Sequence, residues 1–135
     1  MLYLDTSALL KLIRREPESA ILADWLDAQI PAPWVSSTLI EVELPRALRR
    51  VEPALLADVP VIVARVARYE VDEVVRAAAA AYPDTTLRSL DAIHLATGDA
   101  VFGPRLTAFV TYDERLLTAA KAAGLPTAAP GRRES

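Results

Sequence analysis

The sequence predicts an α/β protein, a three-layer α/β/α sandwich around a short parallel sheet. Three observations carry that expectation. Short apolar runs of strand type alternate with longer segments of helical period, the order that brings successive strands parallel through right-handed crossovers. The 135 residues are 53% hydrophobic and 24% charged, enough for one stable core and too apolar for a disordered chain. There is no cysteine, so neither disulfides nor thiolate-bound zinc can hold the fold.

Residues 2–4 open the chain as a short buried strand. Residues 7–14 and 18–29 read as helices broken at Glu16-Pro17, because proline disfavours a helical residue before it. Pro31 and Pro33 make a loop, and 34–36 form a second strand. Residues 39–50 have helical period, disturbed at Pro45, whose ring opposes the carbonyl of Glu41. The pattern from 52 to 63 is mixed and helical only in part. Residues 65–71 alternate as a strand does, with Val66, Tyr69 and Val71 as the apolar points. Asp72 reads as the N-cap of a helix reaching 81, which takes in the alanine run 77–81. A loop over 82–86 leads to a strong helix over 89–101. Residues 109–111 form a strand, and Asp113 caps a helix to 123 that Gly124 and Pro126 end. One domain over 1–129 is expected, with a polar, loose tail at 130–135. No basic leader and no apolar run long enough to span a bilayer stand in the sequence, so the expected location is the cytoplasm.

In parallel sheets ligands bind at the carboxyl ends of the strands. Asp5 ends the first strand, Glu41 and Glu43 follow the second, and Asp113 follows the strand at 109–111. Asp91 opens the helix that starts near Ser89. Taken singly, most of the 18 Asp and Glu residues belong on the solvated surface, and Asp5 and Asp113 also fit as plain helix caps. Taken together they converge on one sheet edge. Converging carboxylates repel and raise each other's pKa unless a cation neutralises them. Oxygen-only donors suit Mg²⁺ or Mn²⁺, and such ions activate water and steady a transferring phosphoryl group, so phosphodiester hydrolysis is the natural reaction class. The net charge of −3 argues against holding nucleic acid by basic surface alone, but not against an enzyme whose acids bind metal.

Four strings around these acids resemble the motifs of PIN-domain ribonuclease toxins of the VapC kind. They are Leu4-Asp5-Thr6-Ser7-Ala8-Leu9; Val35-Ser36-Ser37 with Val42-Glu43-Leu44-Pro45-Arg46-Ala47-Leu48; Leu87-Arg88-Ser89-Leu90-Asp91-Ala92-Ile93-His94-Leu95-Ala96-Thr97; and Phe109-Val110-Thr111-Tyr112-Asp113-Glu114-Arg115-Leu116. The resemblance covers nearly the whole chain in order. It implies a PIN-like fold and a Mg²⁺- or Mn²⁺-dependent endoribonuclease, the toxin of a type II toxin–antitoxin pair that cleaves RNA to inhibit translation and growth. It makes Asp5, Glu43, Asp91 and Asp113 the catalytic, metal-binding acids and selects Glu43 over Glu41. Thr6 and Thr111 fall in the same motifs as supports that orient the acids. The implied partners are the RNA substrate, a small VapB-like antitoxin able to place a basic side chain in the acidic site, and a second copy in a homodimer, with no membrane. One departure stands in the third motif, where Gly98-Asp99 replaces the usual second alanine; Asp99, two turns beyond Asp91, reads as surface charge.

His94, the only histidine, reads as a packed or hydrogen-bonded residue, since one histidine cannot build a metal site alone. Arg46 and Arg50, one turn apart, are candidate contacts to RNA phosphates, against a plain solvated helix face. Lys11, Arg14 and Arg15 form a weaker cluster. Ile21, Leu22, Trp25 and Leu26 form an apolar stripe suited to a core or a partner helix. Rival functions fit less well. An aspartyl phosphatase wants a second Asp where Ser7 stands, and a receiver-like regulatory module wants a lysine that Thr111-Tyr112-Asp113 lacks. A metal-binding PIN-fold module without nuclease activity would not need all four acids.

Overall fold

The computed structural model describes residues 1–133. Its centre is a five-stranded, all-parallel sheet in the order β3-β2-β1-β4-β5. The strands are β1 (Leu2–Leu4), β2 (Trp34–Ser37), β3 (Ala67–Tyr69), β4 (Ala108–Val110) and β5 (Thr127–Ala128). The helices are α1 (Thr6–Ile13), α2 (Ser19–Asp27), α3 (Ile40–Val51), α4 (Val59–Ala64), α5 (Glu73–Ala81), α6 (Ser89–Ala96) and α7 (Glu114–Ala122).

Side chains alternate across a strand, and that alternation sorts the layers. Leu2 and Leu4 of β1, with Ala108 and Val110 of β4, pack under α1–α4 against Leu9, Leu22, Ile40, Leu44 and Leu48. Tyr3 and Phe109 point to the other face and meet Leu95 of α6 and Leu116, Ala119 and Ala120 of α7. The central strands are buried on both faces, which is why they read as continuous apolar runs. The apolar stripe of α2 divides: Leu22 and Leu26 enter the core, while Ile21 stays half-exposed.

The chain fills β1, β2 and β3 to one side and then returns to β4 and β5 on the other. The direction therefore switches between β1 and β4, where open parallel sheets bind ligands beyond the carboxyl ends of the strands.

Local departures from the sequence pattern have physical causes. α3 runs through Pro45, because the Glu41 carbonyl left without a donor belongs to an exposed residue. The segment 52–63 resolves into a 3₁₀ helix, Pro53–Asp58, and the short α4. The helix expected over 89–101 is α-helical only to Ala96 and then widens into a π-helical segment, Thr97–Phe102. Gly98 permits this, since a Cβ there would lie 2.7 Å from the Phe109 ring. Asp99 is tied down as well, accepting a hydrogen bond from the Tyr82 hydroxyl at 3.0 Å. Gly124, at φ +83°, closes α7, and the two residues of β5 extend the sheet beyond the strands the sequence suggests. Of the tail, the Pro130 carbonyl accepts from Tyr112 at 2.7 Å and Arg132 pairs with Glu114 at 2.7 Å, while Glu134 and Ser135 lie outside the described residues. Among the described residues no helix is long and apolar enough to cross a membrane.

Candidate active site

Asp5 follows β1 at the sheet's carboxyl edge and caps α1. Its Oδ1 accepts from the Ala8 N–H at 2.9 Å and the Ser7 hydroxyl at 2.7 Å, and its Oδ2 accepts from Thr111 at 2.6 Å. A carboxylate offers about four lone-pair positions, so three protein donors leave one. The residue is 3% exposed. Burial outweighs these hydrogen bonds and holds its carboxyl above the usual range.

The same hydroxyls fix the loop that follows β4. Thr111 Oγ1 accepts from the Asp113 N–H at 3.1 Å, and Ser7 Oγ accepts from the Tyr112 N–H at 2.9 Å. Asp113 in turn caps α7, its Oδ1 accepting from the Leu116 N–H at 3.0 Å. Asp5 and Asp113 are thus both caps, as their local sequence allows, and the two caps are locked together across the β1–β4 switch point.

Glu43 comes from the first turn of α3. Its Oε1 accepts from the Thr6 hydroxyl at 2.7 Å and lies 2.7 Å from His94 Nε2. Burial alone would push this carboxyl up, but the hydrogen bonds from His94 and Thr6 prevail and hold it below its ordinary value. Glu41, two residues earlier, points elsewhere and pairs with Arg68 of β3 at 3.4 Å, 48% exposed.

Asp91 lies in the first turn of α6. That helix runs back toward β4, so its N-terminus stands at the carboxyl edge with the other acids. Partial burial, then the negative charges of Asp113, Asp5 and Glu43, push the Asp91 carboxyl up to about 6. Burial is the larger cause, and the neighbouring carboxylates add to it.

Glu43, Asp91 and Asp113 line one open cleft of about 860 Å³, and Asp5 is buried beneath them. Arg50 of α3, Arg88 at the start of α6 and Arg115 of α7 line the same cleft. A smaller recess of about 360 Å³ between α5 and α6 contains none of the four acids. Of the arginine pair read from the sequence, Arg50 reaches the acidic cleft, whereas Arg46 lines a separate recess with Arg49 and Arg50. Arg88 and Arg115 are additions, and the motif strings that contain them were the available signal. Lys11 is engaged by Glu16 and Glu18, and Arg14 by Glu52.

The donors around the cleft are carboxylate oxygens, the chemistry of a hard divalent cation. Among the described residues no three His, Asp or Glu side chains are grouped closely enough to hold a metal ion by themselves. A set spread like this fits Mg²⁺ or Mn²⁺, of which Mg²⁺ keeps several waters and is held by one or two carboxylates together with substrate phosphate.

Comparison with known proteins identifies the family. The model of the PIN domain family matches residues 2–122. The chain is 56% identical over 133 residues to Ribonuclease VapC35 of Mycobacterium tuberculosis, covering 98% of each chain. It is 42% identical over 134 residues to Ribonuclease VapC47 of the same species, covering 97% of this chain and 98% of the relative. With Ribonuclease VapC46 it shares 39% over 136 residues, 96% and 97% of the two chains.

Proposed function

The chain belongs to the PIN-domain family, within its VapC ribonuclease branch, and from that premise we propose that it is a divalent-metal-dependent endoribonuclease, the toxin of a type II toxin–antitoxin pair. The observation that carries the reading is the cleft itself, where Glu43, Asp91 and Asp113 stand beside Arg50, Arg88 and Arg115 with Asp5 buried beneath them. Acids crowded this way and faced by guanidinium groups suit a phosphodiester bridged to a cation.

Asp5, Glu43, Asp91 and Asp113 are the proposed catalytic, metal-binding acids, with Asp5 offering its one remaining lone-pair position. Mg²⁺ or Mn²⁺ supplies charge neutralisation for the transferring phosphoryl group when bound. Thr111 holds Asp5 and the backbone of Asp113 in one register, and Thr6 holds Glu43. Arg50, Arg88 and Arg115 grip RNA phosphates on either side of the scissile bond, and Arg46 extends the basic surface along α3. A VapB-like antitoxin is the proposed partner, its basic side chain taking the cation's place against the acids. A homodimer is the proposed assembly, with cleavage of RNA halting translation and growth.

The purified protein should cut RNA in Mg²⁺ or Mn²⁺ and stop when chelator is in excess. Robust cleavage in excess EDTA would overturn the metal mechanism. Induced expression should arrest growth and co-expression of the antitoxin should relieve it. Equal arrest by wild type and Asp91→Asn would remove ribonuclease activity as the cause.

A further inference from the structure

His94 is 2% exposed on α6, yet it is neither in the apolar packing of that helix nor among the four acids. Its Nε2 lies 2.7 Å from Glu43 Oε1, and its Nδ1 lies 2.7 Å from the Tyr3 hydroxyl. The ring therefore spans the carboxyl edge of the sheet, from the α6–α7 layer to α3 on the opposite side. Tyr3 is wholly buried on β1, stacked on Phe109 at 4.7 Å and meeting the His94 ring edge-on.

The buried hydrogen-bond inventory places a proton on Nε2 of this ring. A phenol sealed from water must donate its proton. Ser36 donates to the Leu4 carbonyl at 2.6 Å and Thr97 to the Ile93 carbonyl at 2.7 Å, so neither hydroxyl has a proton left to donate to the Tyr3 oxygen. The Tyr3 hydroxyl lies 2.7 Å from Nδ1. Glu43 Oε1 is a carboxylate oxygen and only accepts, so Nε2 carries a proton and donates it to Glu43, while Nδ1 faces the Tyr3 hydroxyl.

We propose that His94 is a positioning residue for Glu43: held by Tyr3 with a proton on Nε2, it joins Thr6 in pinning Oε1 and leaves Oε2 to the cation. The inference rests on Glu43 belonging to the metal site proposed above, but it concerns a hydrogen-bonded chain that exists with or without RNA. Outer groups that orient a ligating carboxylate act on metal affinity and on turnover together. The arrangement also ties Glu43, which α3 alone would leave free to rotate, to the rigid centre of the sheet.

Because His94 is the only histidine, its ring nitrogens can be assigned without ambiguity in ¹⁵N-labelled protein. Long-range ¹H–¹⁵N correlation of the metal-free protein should show a proton on Nε2, and Tyr3→Phe should loosen that order. Titration with Mn²⁺ alone should show binding weakened roughly 10- to 100-fold in His94→Ala. The kcat for RNA should fall on the same scale with little change in KM. His94→Gln, whose amide can donate from near the Nε2 position, should recover most of both losses. A wild-type ring with no proton on Nε2 would overturn the proposal. So would His94→Gln performing no better than His94→Ala when circular dichroism finds both folded. If the Nε2 proton and the Mn²⁺ series come out as stated while no form of the protein cuts RNA, the positioning role stands and the nuclease reading falls.

Discussion

Partial burial and then its acidic neighbours raise the Asp91 carboxyl, and the shift has a measurable cost. Its carboxyl ionises near pH 6 in the folded protein and near 3.9 in an unfolded chain, so the fold holds the proton more tightly. The sign follows: below about pH 4 both states are protonated and nothing is lost, and stability falls as pH rises through the folded value. In chelator at pH 7.5, Asp91→Asn should melt higher than wild type by about 1 kcal/mol, the two-unit shift discounted for solvent screening. The advantage should fall to about a third at pH 4.5 and shrink when Mg²⁺ is added, although the variant should lose cleavage. Thermal melts at the two pH values check this, and an Asn variant no more stable than wild type at pH 7.5 would mean that burial and the neighbouring acids do not burden the Asp91 charge. The four acids were legible because each sits in a short local string. The reading of His94 as hydrogen-bonded also holds, but its partners were hidden: Tyr3 and Glu43 are 91 and 51 residues away, and no local pattern records a contact made across a sheet edge.

On α3 the helical period decides between two glutamates. Residues two apart lie about 200° around a helix, so Glu41 and Glu43 cannot serve one site. Glu43 is bonded to Thr6 and His94, and Glu41 leans toward Arg68 in an exposed pair of the kind worth at most about 1 kcal/mol. Glu43→Gln should therefore abolish RNA cleavage with an unchanged circular dichroism spectrum, and Glu41→Gln should cut nearly as well as wild type. Reversed phenotypes would show that the second motif is misaligned by two residues. Helices and central strands were legible from period and caps, with Asp5, Asp72 and Asp113 capping as their positions suggest. The π-helical segment was not, because it answers to the Phe109 ring pressed on Gly98 and not to its own sequence. Nor was β5, whose two residues owe their extended pairing to the neighbouring strand β4.

At the scale of the whole molecule, a chain of net charge −3 has to hold a polyanion, and the arginines from α3, α6 and α7 converge where its acids are. In a Glu43→Gln background that cannot cut, changing Arg50, Arg88 and Arg115 together to Ala should weaken single-stranded RNA binding about equally for all sequences. The slope of log K against log salt should fall by about 2, three contacts at about 0.7 each. Arg46→Ala, in the separate recess, should change the slope less, and an unaltered slope in the triple variant would place the RNA elsewhere. The sheet order also bears on synthesis. β1 leaves the ribosome first but lies between β2 and β4, and Asp5 receives its Thr111 hydrogen bond across 106 residues of chain. A nascent chain that stops short of β4 has a central strand with one side bare and its first acid far from the fourth. Until β4 and Asp113 have been made the four acids cannot meet at one sheet edge, so the proposed nuclease site is completed only late in synthesis.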